Sequence, residues 1–226
     1  MKTLIVIPAF NEADNLKALL PKLIDLVEGD VLVVDDLSQD DTVEVVKSHG
    51  IKCLCLTVQL GAWGATQTGI RYALQYGYDH VITMDADGQH LPEEVHSLCQ
   101  AYKNNSTDVV IGTFPDRLSR LKKMAWSFFK FLTHIKIEDL TSGFRLYNKK
   151  AIEVLSLRQA SMLDYQDVGV LLMLLKSGLT IVEVPVKMQD RYDGKSRVFS
   201  SWLVVLKYMM QTTTLCIANI GAKQTK

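Results

Sequence analysis

"VITMDADGQH", residues 81–90, joins a short apolar run to two carboxylates one residue apart. The run is too brief for a helix and reads as the buried end of a strand. Asp85 and Asp87 would repel each other unless a cation or a strong donor lies between them. If the chain is still extended there, alternation aims both side chains to one side. Two carboxylates on one side make a hard-cation site, and Mg²⁺ or Mn²⁺ normally completes its shell with water and phosphate oxygens. Gln89 can add a neutral oxygen to the same ion. The competing reading is a solvated turn, since Asp and Gly favour turns. The position directly after a buried strand favours the metal site.

The pattern of a strand ending in polar residues recurs upstream. "TLIVI" (3–7) reads as a strand that Pro8 ends. Leu16, Leu19, Leu20, Leu23, Ile24 and Val27 then fall at helical spacing. "DVLVV" (30–34) is a second strand ending in Asp35 and Asp36, and Ser38 with Asp41 resembles a capping box opening a helix. "IKCLCLTV" (51–58) is a third strand, 62–76 a helix, "HVITM" (80–84) a fourth strand and "DVVIG" (108–112) a fifth, with Pro92 as the first residue of another helix. Short apolar strands alternating with helices predict an α/β fold, a mostly parallel central sheet with helices on both faces. Ligands of such sheets bind outside the carboxyl ends of the strands. That selects Pro8 to Glu12, Asp35–Asp36 and Asp85–Asp87, which should converge on one crevice.

Beyond residue 113 the pattern changes. A basic amphipathic helix is expected at about 117–134, with six basic residues and no acidic one between Arg117 and Ile137. "TSGFRLYN" follows, then two helices, a strand "TIVEVPVKM" (180–188), the basic loop "QDRYDGKSR" and a last amphipathic helix at about 199–220. One domain over 1–226 is expected, its donor half at about 1–113 and its acceptor half at about 114–200. The apolar stripe of the basic helix suits core packing, and with its excess Lys and Arg it equally suits an anionic membrane surface. No run of 18 apolar residues exists, so contact with lipid should be peripheral.

Hydrophobic residues make up 48% of the chain and charged residues 22%, enough for a sizeable core. A formal net charge of zero disfavours a nucleic-acid partner. Cys53 and Cys55 alternate on a strand with no metal-spaced partner and read as core thiols of a reducing compartment, so a cytoplasmic protein is expected. "QLGAWGATQTG" (59–69) is glycine-rich but matches neither dinucleotide nor Walker spacing. One of Asp35 and Asp36 could accept hydrogen bonds from a nucleoside; the bland alternative is a pair of acids at a helix start. Arg191, Lys195 and Arg197 suit a phosphate clamp and equally a solvated loop.

"IPAFNE", "VVDDLSQDDT", "GAWGATQTG", "MDADGQH", "DLTSGFRLY" and "EVPVKMQDRYDGKSR" occur in the order seen in family 2 glycosyltransferases of the GT-A fold. The chain most resembles their dolichyl-phosphate mannosyltransferase and bacterial polyprenyl-phosphate glycosyltransferase group, over about residues 3–200. The resemblance implies that Pro8, Phe10, Glu12, Val34 and Asp36 grip the nucleoside. It implies that Asp85, Ala86 and Asp87 meet the diphosphate, with Asp85, Asp87 and Gln89 on the metal. Arg191 and Arg197 match basic residues that hold the donor and an acceptor phosphate. Asp139 and the "SGFR" after it match a segment on the acceptor side. Asp167 falls where relatives carry an acid on a helix facing the acceptor. Leu37 replaces the usual Gly, Gln59 the usual Asn, Phe114 an Arg, and Gly169 a second helix acid.

The expected activity is a metal-dependent, inverting transfer of a sugar from a nucleotide-diphosphate donor to a polyprenyl phosphate or a membrane-associated glycan. Two alternatives stay open on the residues alone: a phosphoryl- or nucleotidyl-transferring enzyme using the same acids, and a nucleotide-binding module without turnover.

Overall fold

A computed structural model describes residues 2–114, 130, 135, 137–189 and 210–214. The expected helix at 117–134, the loop carrying Arg191, Lys195 and Arg197, and the expected helix at 199–220 lie outside those residues, except for helical turns at 130 and 210–214. Strands β1 (Thr3–Ala9), β2 (Asp30–Asp35), β3 (Lys52–Cys55), β4 (His80–Thr83), β5 (Val109–Thr113), β6 (Arg145–Asn148) and β7 (Ile181–Pro185) form one sheet in the order β3-β2-β1-β4-β6-β5-β7. All neighbours run parallel except β6, which is antiparallel to both β4 and β5.

Successive residues of β1 face opposite sides, as a period of two requires. Leu4 and Val6 join a core formed with α3 (Gly61–Gln75), α5 (Lys149–Leu155) and α6 (Val168–Lys176). Ile5 and Ile7 join the core under α1 (Ala13–Leu26), α2 (Thr42–Ser48) and α4 (Val95–Asn105). Helices therefore cover both faces, and every residue of the central strand β4 is buried.

Several local expectations are corrected. Pro8 does not end β1, which runs on to Ala9 in register with Asp35. Val6 O accepts from Met84 N and Ala9 O from Asp36 N, so Pro8, like Val6, faces the β4 side. The β1–β4 ladder stops at Val6 opposite Thr83, where the next rung would need an N–H from Pro8, while pairing with β2 continues to Ala9. Ser38 does not cap a helix: α2 starts at Thr42, with Asp41 at its N-cap position. The Ser38 hydroxyl instead accepts the Asn11 N–H, crossing between the β1 and β2 ends. Ile24, on the predicted apolar stripe, is exposed because α1 turns that side to solvent. Cys53 and Cys55 do share a face, with sulfurs 3.9 Å apart, but Cys55 is exposed because β3 is the edge strand. Burial pushes the Cys53 thiol up to about 12.

Candidate active site

β2 and β4 are the two neighbours of β1, and all three run parallel. At a strand spacing of about 4.8 Å, residues leaving β2 and β4 emerge on the same sheet edge about 10 Å apart. The segments after β1, β2 and β4 therefore share one rim, as the strand-end rule requires.

The turn after β1 and the loop after β2 are tied into one unit. Asn11 adopts a left-handed φ of 53° and its Oδ1 accepts from Gln39 N at 2.8 Å. Glu12 N donates to Thr42 Oγ1 at 2.9 Å, and Ala13 N to Asp40 Oδ2 at 3.1 Å. Burial alone would push the Asp40 carboxyl up; hydrogen bonds from Thr42 and Ala13 outweigh it and hold it below its ordinary value. Leu37 is left-handed, with φ 69°, at the position where glycine is usual.

Asp36 is 3% exposed and its two oxygens accept from Leu60 N at 2.6 Å and Gly61 N at 2.8 Å. These are the N-cap and first residue of α3, a helix with no cap of its own and no acid in its first turn. A carboxylate at that end satisfies orphan donors and favours the helix dipole. Asp36 therefore secures the glycine-rich segment to β2. Asp35 is equally buried and accepts from Ser38 N at 3.2 Å.

Asp85 and Asp87 do not sit on a continued strand, as simple alternation assumed. The chain leaves β4 at Thr83 and turns through Ala86–Asp87, and Gly88 takes φ 75°. Asp87 Oδ1 accepts from Gln89 N at 3.1 Å, an Asx-type turn. The Asp85 side chain is 46% exposed. His90, 2% exposed, accepts the Asp85 N–H on Nδ1 at 2.9 Å, which assigns its proton to Nε2, 3.8 Å from Asp85 Oδ2. The ring is braced by stacking on Phe144, centroids 5.0 Å apart. Gln89 and His90 pair with the strip before the basic loop: His90 bridges Met188, Gln189 N donates to Gln89 O at 3.0 Å, and Gln89 Nε2 to Gln189 O at 3.4 Å. A cleft of about 380 Å³ between α1 and this turn is lined by Glu12, Asp40, Gly88, His90 and Gln189. A cavity of about 460 Å³, beside Asp30 and Lys52 at the opposite sheet edge, holds none of the expected residues.

Asp167 is not on a helix. It is the N-cap of α6, 8% exposed, with Oδ1 accepting from Gly169 N at 3.3 Å. A Cβ at Gly169 would lie 2.8 Å from Leu163 Cδ2, so a larger residue there requires the Leu163 side chain to shift. Asp139 closes a turn by accepting from Thr141 N. Arg191 and Arg197 lie outside the described residues.

Three contributors lie within the quoted motifs "MDADGQH" and "SGFR" but had no role of their own there. His90 is five residues past Asp85 but resembles any polar loop residue. Gly143 backs the Asp85 carboxylate, and Arg145, two residues on, is fully buried. Among the described residues no three His, Cys, Asp or Glu side chains cluster as a metal site. The chemistry of the pair nevertheless fits a hard cation held mainly by substrate: two acids, an adjacent amide and a half-exposed carboxylate.

Comparison with known proteins agrees with this arrangement. The glycosyl transferase family 2 model matches residues 4–156. Undecaprenyl-phosphate mannosyltransferase of Micrococcus luteus is 31% identical over 215 residues, 88% of each chain. Polyprenol monophosphomannose synthase of Mycolicibacterium smegmatis is 28% identical over 218 residues, 88% of this chain and 82% of that one. Glucosyl-3-phosphoglycerate synthase of Mycobacterium tuberculosis, solved with Mn²⁺, UDP and phosphoglyceric acid, superposes with a TM-score of 0.75 at 18% identity, over 97% of this chain and 78% of that one. That likeness establishes the GT-A arrangement of the sheet. Strand ends, acidic turn and relatives together place the chain in glycosyl transferase family 2, as a glycosyltransferase.

Proposed function

We propose that the protein transfers a hexose from a nucleotide-diphosphate sugar to a polyprenyl phosphate, with inversion and with Mg²⁺ or Mn²⁺ on the diphosphate. The observation that carries the reading is the acidic turn after β4, braced by His90 and placed on the same rim as the ends of β1 and β2. Glu12 and the segment Pro8–Phe10 hold the nucleoside, and Val34 and Asp36 shape the floor beneath it. Asp85, Asp87 and Gln89 hold the cation, which when bound neutralises charge on the departing diphosphate. Arg191 and Arg197 hold the donor and acceptor phosphates; Arg191 follows Gln189 by two residues in the sequence, and Gln189 pairs with Gln89. A lipid phosphate is already ionised, so its oxygen attacks the anomeric carbon without a strong base. Asp167, buried as a cap, orients the acceptor side rather than removing a proton. Residues 1–113 form the donor half and 114–200 the acceptor half.

The acceptor is favoured as a polyprenyl phosphate by two relatives that match over more than four fifths of their own length and whose names specify such lipids. Among the described residues no helix is long and apolar enough to cross a membrane. A cytoplasmic protein resting on the inner membrane face through residues 117–134 is the matching location.

The test is a thermal-shift panel of GDP-, UDP- and dTDP-sugars with Mn²⁺ or Mg²⁺. At a hundredfold excess over Kd, binding should add about 2.7 kcal/mol of stability. Asp87→Ala should erase the metal-dependent part of that shift. A shift that survives the substitution refutes the assignment, and pyrophosphate release from a nucleoside triphosphate would indicate nucleotidyl transfer instead.

A further inference from the structure

We infer that Gly143 and Arg145 are positioning residues that set the place of the Asp85 carboxylate; the inference rests on reading Asp85 as a metal ligand. Arg145 begins β6, opposite Thr83 at the end of β4. It is fully buried, with no carboxylate partner among the described residues. Burying a guanidinium is costly unless its donors are satisfied. Here Nε donates to Ser142 O at 2.7 Å, and Nη2 to Leu140 O at 3.1 Å and Gln166 O at 2.8 Å. Nη1 has no hydrogen-bond partner among the described residues. The side chain thus supplies donors to two irregular segments, 140–143 and 166, whose carbonyls have no strand ladder to bond them.

The same two segments are locked to β4 and β5. Thr83 Oγ1 donates to Gly143 O at 2.6 Å, and Gln166 Nε2 donates to Thr83 Oγ1 at 3.0 Å and to Tyr147 Oη at 2.8 Å. Ser142 Oγ donates to Gly112 O at 2.6 Å. The product of this fastening is the position of Gly143. A Cβ there would lie 2.8 Å from Asp85 Oδ1, 3.0 Å from Oδ2 and 3.2 Å from Cγ. The Asp85 carboxylate therefore rests directly on the bare Cα of Gly143, with His90 Nε2 beside it. His90 is itself stacked on Phe144, the residue between Gly143 and Arg145. Gly143 and Phe144, which meet Asp85 and His90 on this side, both belong to the segment that Arg145 holds. Gly143 has no left-handed φ, so alanine is permitted by the backbone and only the carboxylate has to give way.

The experiment uses the full chain and the variants Gly143→Ala and Arg145→Lys. Mn²⁺ is titrated calorimetrically with GDP or UDP present, and the side-chain carboxyl ¹³C resonance of Asp85 is recorded without metal. Outer-shell changes of this kind weaken metal binding 10–100-fold; about tenfold is expected for each variant, and less than the product of the two in the double variant. The Asp85 resonance should move in both. A purely structural role would lower the melting temperature and leave both readouts in place. An unmoved resonance in Gly143→Ala overturns the inference whatever the metal does. Unchanged Mn²⁺ affinity in a protein whose parent binds Mn²⁺ overturns it as well. A parent that ignores Mn²⁺ while the variants move the Asp85 resonance refutes the metal reading and supports the positioning. If Arg145→Lys does not fold, Gly143→Ala decides alone.

Discussion

Gly69 on α3 sets how closely that helix approaches β1, and the Gly69→Ala variant tests the packing that supports the site. An added Cβ would lie 2.2 Å from Val6 Cγ1 and 2.9 Å from Cγ2. Carbon atoms pack best at about 3.5–4.0 Å, so both contacts are strongly repulsive. Val6 cannot retreat, since it is fully buried in the middle of the sheet and paired with Leu32 and Thr83. Helix propensity favours alanine over glycine by about 1 kcal/mol. Overpacking costs about 1–3 kcal/mol, and a 2.2 Å contact belongs at the upper end. The net expectation is a loss of about 2 kcal/mol, or roughly 4–8 °C in Tm for a domain of this size. Val6→Ala removes both clashing atoms and should itself cost about 2 kcal/mol through lost burial and a cavity. The double variant should be no less stable than Val6→Ala alone, giving a coupling of about 2 kcal/mol. Urea unfolding of the four proteins measures the cycle. Gly69→Ala as stable as the parent, or an additive cycle, refutes the close-approach argument.

Asp36→Asn exchanges one acceptor oxygen for a donor facing the α3 amides, and should cost about 1–3 kcal/mol with faster amide exchange at Leu60 and Gly61. Trp63 Nε1 donates to Ala160 O at 2.8 Å in a buried setting. Trp63→Phe removes that bond and leaves Ala160 O with the Leu163 N–H alone, which should cost about 1 kcal/mol, read from urea midpoints. Burial holds His80 below its ordinary value of 6.5, so it is neutral in the fold while the unfolded chain takes up the proton first. Its contribution is intact above pH 6.5 and declines as pH falls from there toward the lower folded value. Urea midpoints at neutral and mildly acidic pH should show that slope, and His80→Leu should flatten it.

Much of the sheet was legible because burial on both faces writes itself into short sequence windows. "TLIVI" and "DVLVV" leave few options other than covered strands, and their alternation with helical spacing implies a parallel order. The acidic turn was legible for the same reason: its strand could be seen, so its end could be located. β6 was not legible as a strand. "RLYN" carries polar residues at both ends, and it is a strand because β4 and β5 offer it partners on either side. Pro8 looked like a terminator because the sequence does not say which side of β1 has run out of partner.

The remaining parts of the site depend on contacts between residues far apart in the chain. An aspartate after a strand announces a negative charge, but not that Asp36 spends it on amides 24 and 25 residues away. An arginine in "SGFRLY" is expected at the surface; only the folded chain surrounds Arg145 with three carbonyls from two loops. Local order of residues determined which segments are buried, where each strand ends and which residues can carry charge to the rim, since those follow from side-chain periodicity. Which of those charges are spent on helix ends, turns and braces, and which face the cleft, was decided by tertiary structure, because a hydrogen bond is settled by distance in space and not by separation along the chain.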